Sequence, residues 1–154
     1  MKPAYRLFIC ALVLSIAALA AYTKSFHQAS SKAASQSGAN QNQIQRGKYL
    51  VEEVARCSEC HTPRDAQGNL DNSRALQGAS IWILPVRPNP NWADQAPPLA
   101  GFPGYSEAEG EKILERGLGL NGEAIRPPMH IYHLNHEDAV AIIAYLKSVP
   151  SSTK

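Results

Sequence analysis

One pentapeptide constrains this chain more than any other: "CSECH", Cys57 to His61. Two thiols stand three positions apart and an imidazole follows at once. Three chemistries use such a set: a redox dithiol, part of a zinc site, or covalent attachment of a porphyrin. A thioredoxin-like dithiol sits at a strand-to-helix junction in a βαβ frame. Here the preceding stretch, "IQRGKYLVEEVARC", spaces Ile44, Leu50, Val51 and Val54 as one face of a helix. That predicts a helix running directly into the motif, and no alternating series of strands and helices surrounds it. A structural zinc site wants four Cys or His ligands. His61 is too near Cys60 to join the same tetrahedron easily, and His130, His133 and His136 are remote and bring no second cysteine pair. A disulfide across two intervening residues closes too small a loop to stabilise much.

The third chemistry fits. Cys-x-x-Cys-His is the signature of c-type haem attachment. Cys57 and Cys60 form thioethers with the vinyl groups of one haem c, and His61 offers its imidazole as the proximal iron ligand. His61 is then expected to donate from its other ring nitrogen to a backbone carbonyl, one of a proline. A sixth ligand is demanded in turn. Beyond the initiator, the chain has one methionine, Met129, in "RPPMHIYH". Pro127 and Pro128 stiffen the backbone before it, which helps to hold a weak thioether on a metal. A lone methionine is commonly core filler, and His130, followed by His133 and His136, are its rivals. His136 opens a predicted helix and reads as a surface or capping residue; His133 reads as a half-buried loop residue.

The N-terminus agrees with attachment outside the cytoplasm. Lys2 and Arg6 precede an apolar run, and Ala18-Leu19-Ala20 follows it. That is the pattern of a secretory signal over 1–20, or of an uncleaved anchor to about residue 23. The stretch Leu7–Tyr22 is shorter than the ~20 residues of a spanning helix. Cys10 within it acts as a small hydrophobe. Residues 21–43, rich in Ser, Ala, Gln and Asn and carrying an isolated His27, read as a flexible linker. The folded domain is expected over 44–150, with 151–154 as a tail. The product is an exported, periplasmic protein, anchored or free.

Charge excludes one class of partner. Without Lys2 and Arg6 the basic count falls from 15 to 13, equal to the 13 acidic residues. Nothing there makes the basic footprint that nucleic acid requires. Pro is abundant, at 11, and aromatics are only 7%. So small and Pro-rich a domain gains from a buried cofactor.

Two further helices are legible. "SEAEGEKILERGL" opens on a capping box, Ser106 with Glu109, and can end at Gly117 or Gly119. Ile113, Leu114 and Leu118 form its apolar side. "NHEDAVAIIAYLKSVP" opens at Asn135, carries Ala139, Ile142, Ile143, Leu146 and Val149 on one stripe, and stops at Pro150. Between the first two helices, residues 62–105 form a long Pro/Gly/Asn-rich segment. So long a loop in a compact domain is reasonable if it wraps a large non-protein group. "SIWILPV" holds at most a short strand, limited by Pro85 and the Pro88-Asn89-Pro90 cluster. Within this loop Arg64, Arg74, Trp82, Trp92 and Tyr105 are candidate donors to the haem propionates.

With these residues in place, the sequence resembles class I, monohaem cytochrome c over residues 44–150. The carriers are "RGKYLVEEVARCSECHTPR", "RPPMHIYHLNHEDAVAIIAYLKSVP" and the helix between them. The resemblance implies an all-α fold, three main helices and long loops around a covalently attached haem. It implies a close crossing of the first and last helices, to which Gly47 and Tyr145 correspond, with Tyr49 beside the contact. "YLV…C…CHTPR", "SRALQGA" and "PPM" followed by "AIIAYL" are similar to the cytochrome subunits of periplasmic alcohol and sugar dehydrogenases. The chain departs from those in having one haem motif rather than three and an idiosyncratic middle, "IWILPVRPNPNWADQAPPLAGF". The implied function is electron transfer between a periplasmic dehydrogenase or oxidase and a terminal acceptor, not catalysis. The alternative is a haem enzyme or gas sensor with an open iron position.

Overall fold

The computed structural model describes Gly38 and residues 40–151. The predicted leader, nearly all of the linker and residues 152–154 lie outside the described residues. The chain divides into two units, Met1–Gln41 and Asn42–Lys154, and the second carries every element below. Among the described residues no helix is long and apolar enough to cross a membrane.

Within the second unit the first helix, α1, covers residues 42–54, so Asn42 and Gln43, linker by composition, are already helical. Its last stretch, Leu50–Val54, is π-helical. The N–H of Ala55 reaches back to Leu50 O at 2.7 Å, and that of Cys57 to Val51 O at 3.0 Å. The extra residue per turn rotates the helix face. Leu50 and Val51 stay buried, while Val54, placed on the same stripe by α-helical spacing, is 56% exposed. The helix does not run into the motif as its apolar spacing predicts. Arg56 adopts the left-handed conformation, φ 51°, breaks the chain direction, and a separate helical turn, α2 (Ser58–His61), begins after it.

The two later helices form where their end signals place them. Ser106 and Glu109 exchange both bonds of the capping box at the start of α3 (Glu107–Arg116). Gly117 ends α3 at φ 67°, a left-handed cap that glycine adopts without strain. Asn135 caps α4 (His136–Ser148) by accepting from the Asp138 N–H at 2.8 Å. Ala139, Ile142, Ile143 and Leu146 are all buried, the apolar face expected from their spacing.

The core joins α1 and α4 through Leu50, Val51, Ile142 and Leu146, and loop residues Leu76 and Ala100 complete it. Gly47 makes that packing possible. A Cβ at position 47 would lie 1.9 Å from the carbonyl oxygen of Ala141 and 2.8 Å from Tyr145 Cβ. The Tyr145 hydroxyl donates back across the crossing to Glu52. Arg46 grips Asp138 with two bonds, 2.8 and 3.1 Å, and this hydrogen bond holds the Asp138 carboxyl below its ordinary range.

The long segment between α2 and α3 holds a 3-10 turn, Asn72–Arg74, and a two-stranded antiparallel ribbon. β1 (Ala79–Ser80) pairs with β2 (Gln95–Ala96), Ala79 opposite Ala96. The strand is therefore earlier and shorter than "SIWILPV" allows. Past Ile81, whose N–H meets Asp94 O at 2.9 Å, the partner chain turns away into Pro88-Asn89-Pro90. Leu84 and Val86 are left 86% and 103% exposed.

Candidate functional site

One helical turn assembles the opening motif. The His61 N–H bonds to Cys57 O at 2.9 Å, and the Cys60 N–H to the same carbonyl at 3.3 Å. Positions i, i+3 and i+4 of a helix share a face, so both sulfurs and the imidazole emerge on one side of α2. Both cysteines are free thiols and partly buried. Burial pushes the Cys57 thiol up to about 11 and raises that of Cys60 as well. A reactive dithiol is activated the opposite way, by stabilisation of a thiolate. Among the described residues no other His, Asp or Glu joins the two cysteines in a set of three metal ligands.

His61 is 7% exposed. Its Nδ1 lies 2.8 Å from Pro97 O. A carbonyl only accepts, so Nδ1 carries the proton and Nε2 keeps its lone pair. The proline carbonyl anticipated as partner is thus that of Pro97, 36 residues away. Burial lowers the pKa of His61, and the bond to Pro97 offsets this in part. The ring is neutral near pH 7, the form that binds metal.

Thr62 latches this turn to the loop. It is 2% exposed, and its hydroxyl oxygen accepts from the Leu76 N–H at 2.9 Å. The Gly78 N–H reaches His61 O at 2.8 Å, and Leu76 O accepts from Leu99 and Ala100. These bonds carry the loop from α2 to Pro97. Thr62→Val keeps the shape and removes the acceptor. It is expected to cost about 1–3 kcal/mol for the stranded Leu76 N–H, read as a lower urea midpoint, with Thr62→Ser much closer to wild type.

The segment bearing Met129 is held at both ends. Arg126 donates to the carbonyls of Asn91 and Trp92, at 3.1 and 2.8 Å, and Pro127 O accepts from Ala93 at 2.7 Å. Downstream, the Tyr132 hydroxyl donates to Ala55 O at 3.2 Å, two residues before Cys57. Burial pushes the Tyr132 phenol up to about 12, and the Cys57 and Cys60 thiols add to the shift. Tyr132 therefore stands beside the motif, and Met129, half-buried, lies three residues before it. His130 and His133 are exposed; His133 is not the half-buried residue that its setting suggests. His136 is engaged elsewhere, with Glu115.

The five donors proposed for acidic groups of a cofactor have different fates. Trp82 donates to Glu59 O at 3.2 Å and Trp92 to Ile83 O at 3.1 Å. Arg74 pairs with Asp71 at 2.7 Å, and Tyr105 packs on Phe102 with centroids 5.7 Å apart. Arg64 stacks over Trp82, 4.7 Å from the ring centroid, and bonds Gly68 O at 2.8 Å and Glu59 at 3.1 Å. Its Nε is buried without a partner. The signals for Pro97, Thr62 and Tyr132 were weak in the sequence: each is defined by a contact with a distant residue.

Comparison with known proteins agrees with this geometry. The cytochrome c family model matches residues 44–150. The chain is 33% identical over 116 residues to the fructose dehydrogenase cytochrome subunit of Gluconobacter japonicus, covering 71% of this chain and 22% of that protein. It is 34% identical over 113 residues to a diheme cytochrome c-type protein of Cereibacter sphaeroides, covering 70% and 36%. It is 29% identical over 119 residues to the cytochrome c subunit of the quinone alcohol dehydrogenase of Gluconobacter oxydans, covering 71% and 24%. The chain thus matches between 22% and 36% of the length of these relatives. A motif turn with two thiols and a neutral imidazole on one face, in a mostly helical domain matched over 44–150, places the chain in the cytochrome c family, whose members carry haem and transfer electrons.

Proposed function

We propose that this chain is an electron-transfer protein carrying one haem c in a class I, three-helix arrangement. The observation that carries the reading is the shared face of Cys57, Cys60 and His61, with Nδ1 of the imidazole committed to Pro97 O at 2.8 Å. The donor set suits the group: two thiols for thioether bonds, and Nε2 of a neutral imidazole for the iron. Met129 would supply the second donor to the iron, a reading supported by its anchored loop beside the motif. Arg64, with its buried and unpartnered Nε, is the donor assigned to a haem carboxylate.

Bound there, haem supplies a one-electron couple between ferric and ferrous iron. The protein's own part would be to hold His61 and Met129 as donors to the iron, so that neither oxygen nor substrate would find an open position. Pro97 fixes the plane and tautomer of His61. The loop latched by Thr62 and bonded to His61 through Gly78 and Pro97 leaves the imidazole 7% exposed and so would keep water from it. The relatives named as dehydrogenase cytochrome subunits support a dehydrogenase as electron donor. Export of the chain by the 1–20 leader agrees with that setting.

Carbon monoxide tests the ligand set. The ferric protein is expected to show the weak near-infrared sulfur-to-iron band, and the reduced protein to leave carbon monoxide unbound. Ready binding of the gas by reduced wild-type protein supports the sensor or enzyme reading instead.

A further inference from the structure

Away from the motif, α3 and α4 bring three metal-binding side chains together. Glu111 and Glu115 are four residues apart on α3 and so share a face. His136, the first residue of α4, turns its Nδ1 toward both, 3.0 Å from Glu115 Oε1 and 3.8 Å from Glu111 Oε2. One ligand atom from each of the three lies within 4.8 Å of the others. Among the described residues, neither carboxylate has a lysine or arginine within ion-pairing distance; His136 is the partner of both. Two carboxylates so close repel unless a cation or proton stands between them.

We propose that Glu111, Glu115 and His136 bind a borderline divalent cation of the Zn²⁺ type. A tetrahedral ion with ligands about 2.1 Å away sets them about 3.4 Å apart. The two separations from His136, 3.0 and 3.8 Å, bracket that spacing, and the two carboxylate oxygens lie within 4.8 Å of each other, so side-chain rotations can bring all three donors onto one ion. Imidazole with two carboxylates suits zinc rather than magnesium, which prefers oxygen and retains its waters. Both glutamates are partly buried and the histidine is exposed, so solvent can deliver the ion and fill the fourth position. The bound ion clamps the start of α4 to α3. It lies outside the haem motif and does not depend on how the iron is ligated.

The test is calorimetric titration of zinc chloride into the haem-loaded full chain, purified without a polyhistidine tag. Thioether linkage then keeps both motif cysteines from competing. One saturable equivalent is expected, together with a rise in the thermal midpoint. His136→Ala and the double variant Glu111→Gln/Glu115→Gln are each expected to weaken binding at least tenfold, with magnesium failing to displace the zinc. No saturable binding to the wild-type chain at millimolar zinc overturns the site. So does unchanged affinity in these surface variants, or equal displacement by magnesium.

Discussion

Gly47→Ala should lower the stability of the haem-loaded domain by roughly 3 kcal/mol or more, the upper part of the range for overpacking a core. Helix propensity alone predicts the reverse, since alanine exceeds glycine by about 1 kcal/mol inside a helix. The crossing decides the sign. The new methyl would stand 1.9 Å from Ala141 O and 2.6 Å from Ala141 C, where ordinary contact begins above 3 Å. Relief requires α1 and α4 to move apart, which loosens Leu50, Val51, Ile142 and Leu146 together. Because the nearest atoms are backbone, trimming Tyr145 to alanine in the same protein should restore none of the loss. Urea unfolding followed at 222 nm reads the effect. A midpoint equal to wild type would show that the helices do not meet at Gly47.

Met129→Ala is expected to abolish the near-infrared sulfur-to-iron band, admit carbon monoxide to the reduced protein and lower the midpoint potential. The sign follows from the ligand: a thioether favours ferrous iron, so its loss favours ferric. Axial ligands span about 0.8 V across haem proteins, and a fall on the order of 0.1 V is a modest share of that. His130→Ala serves as the comparison, since its exposed ring neighbours Tyr132 with centroids 6.1 Å apart and sits next to Met129 in sequence. Spectroelectrochemistry of both variants separates the two candidates. If the wild-type protein lacks the band, and His130→Ala rather than Met129→Ala admits carbon monoxide, the histidine is the ligand.

What was legible in advance was local. The capping box of Ser106 and Glu109 and the Asn135 cap each satisfy backbone groups within three or four residues. The stripe from Ala139 to Leu146 reports one helix face, and Cys57, Cys60 and His61 share a face because one turn spans them. Such features depend on spacing alone. The misread ones involve competition from elsewhere. The π-helical turn at Leu50–Val54 moved Val54 outward and ended α1 before the motif. The short strand expected in "SIWILPV" keeps only Ser80, the end of β1, because its partner turns away at Pro88-Asn89-Pro90.

The sequence by itself determined the chemistry on offer: two sulfurs and an imidazole at fixed spacing, a single later methionine, and helices that begin and stop at their own signals. Only the tertiary structure decided which of the prolines orients His61, where Arg64 leaves a buried N–H unpaired, and that Tyr132 ties the Met129 segment to Ala55. The division has one physical cause. Hydrogen bonds that close within a helical turn depend on neighbours in the chain, whereas a contact across 36 or 77 residues exists only after the whole core has packed and fixed the loops around it.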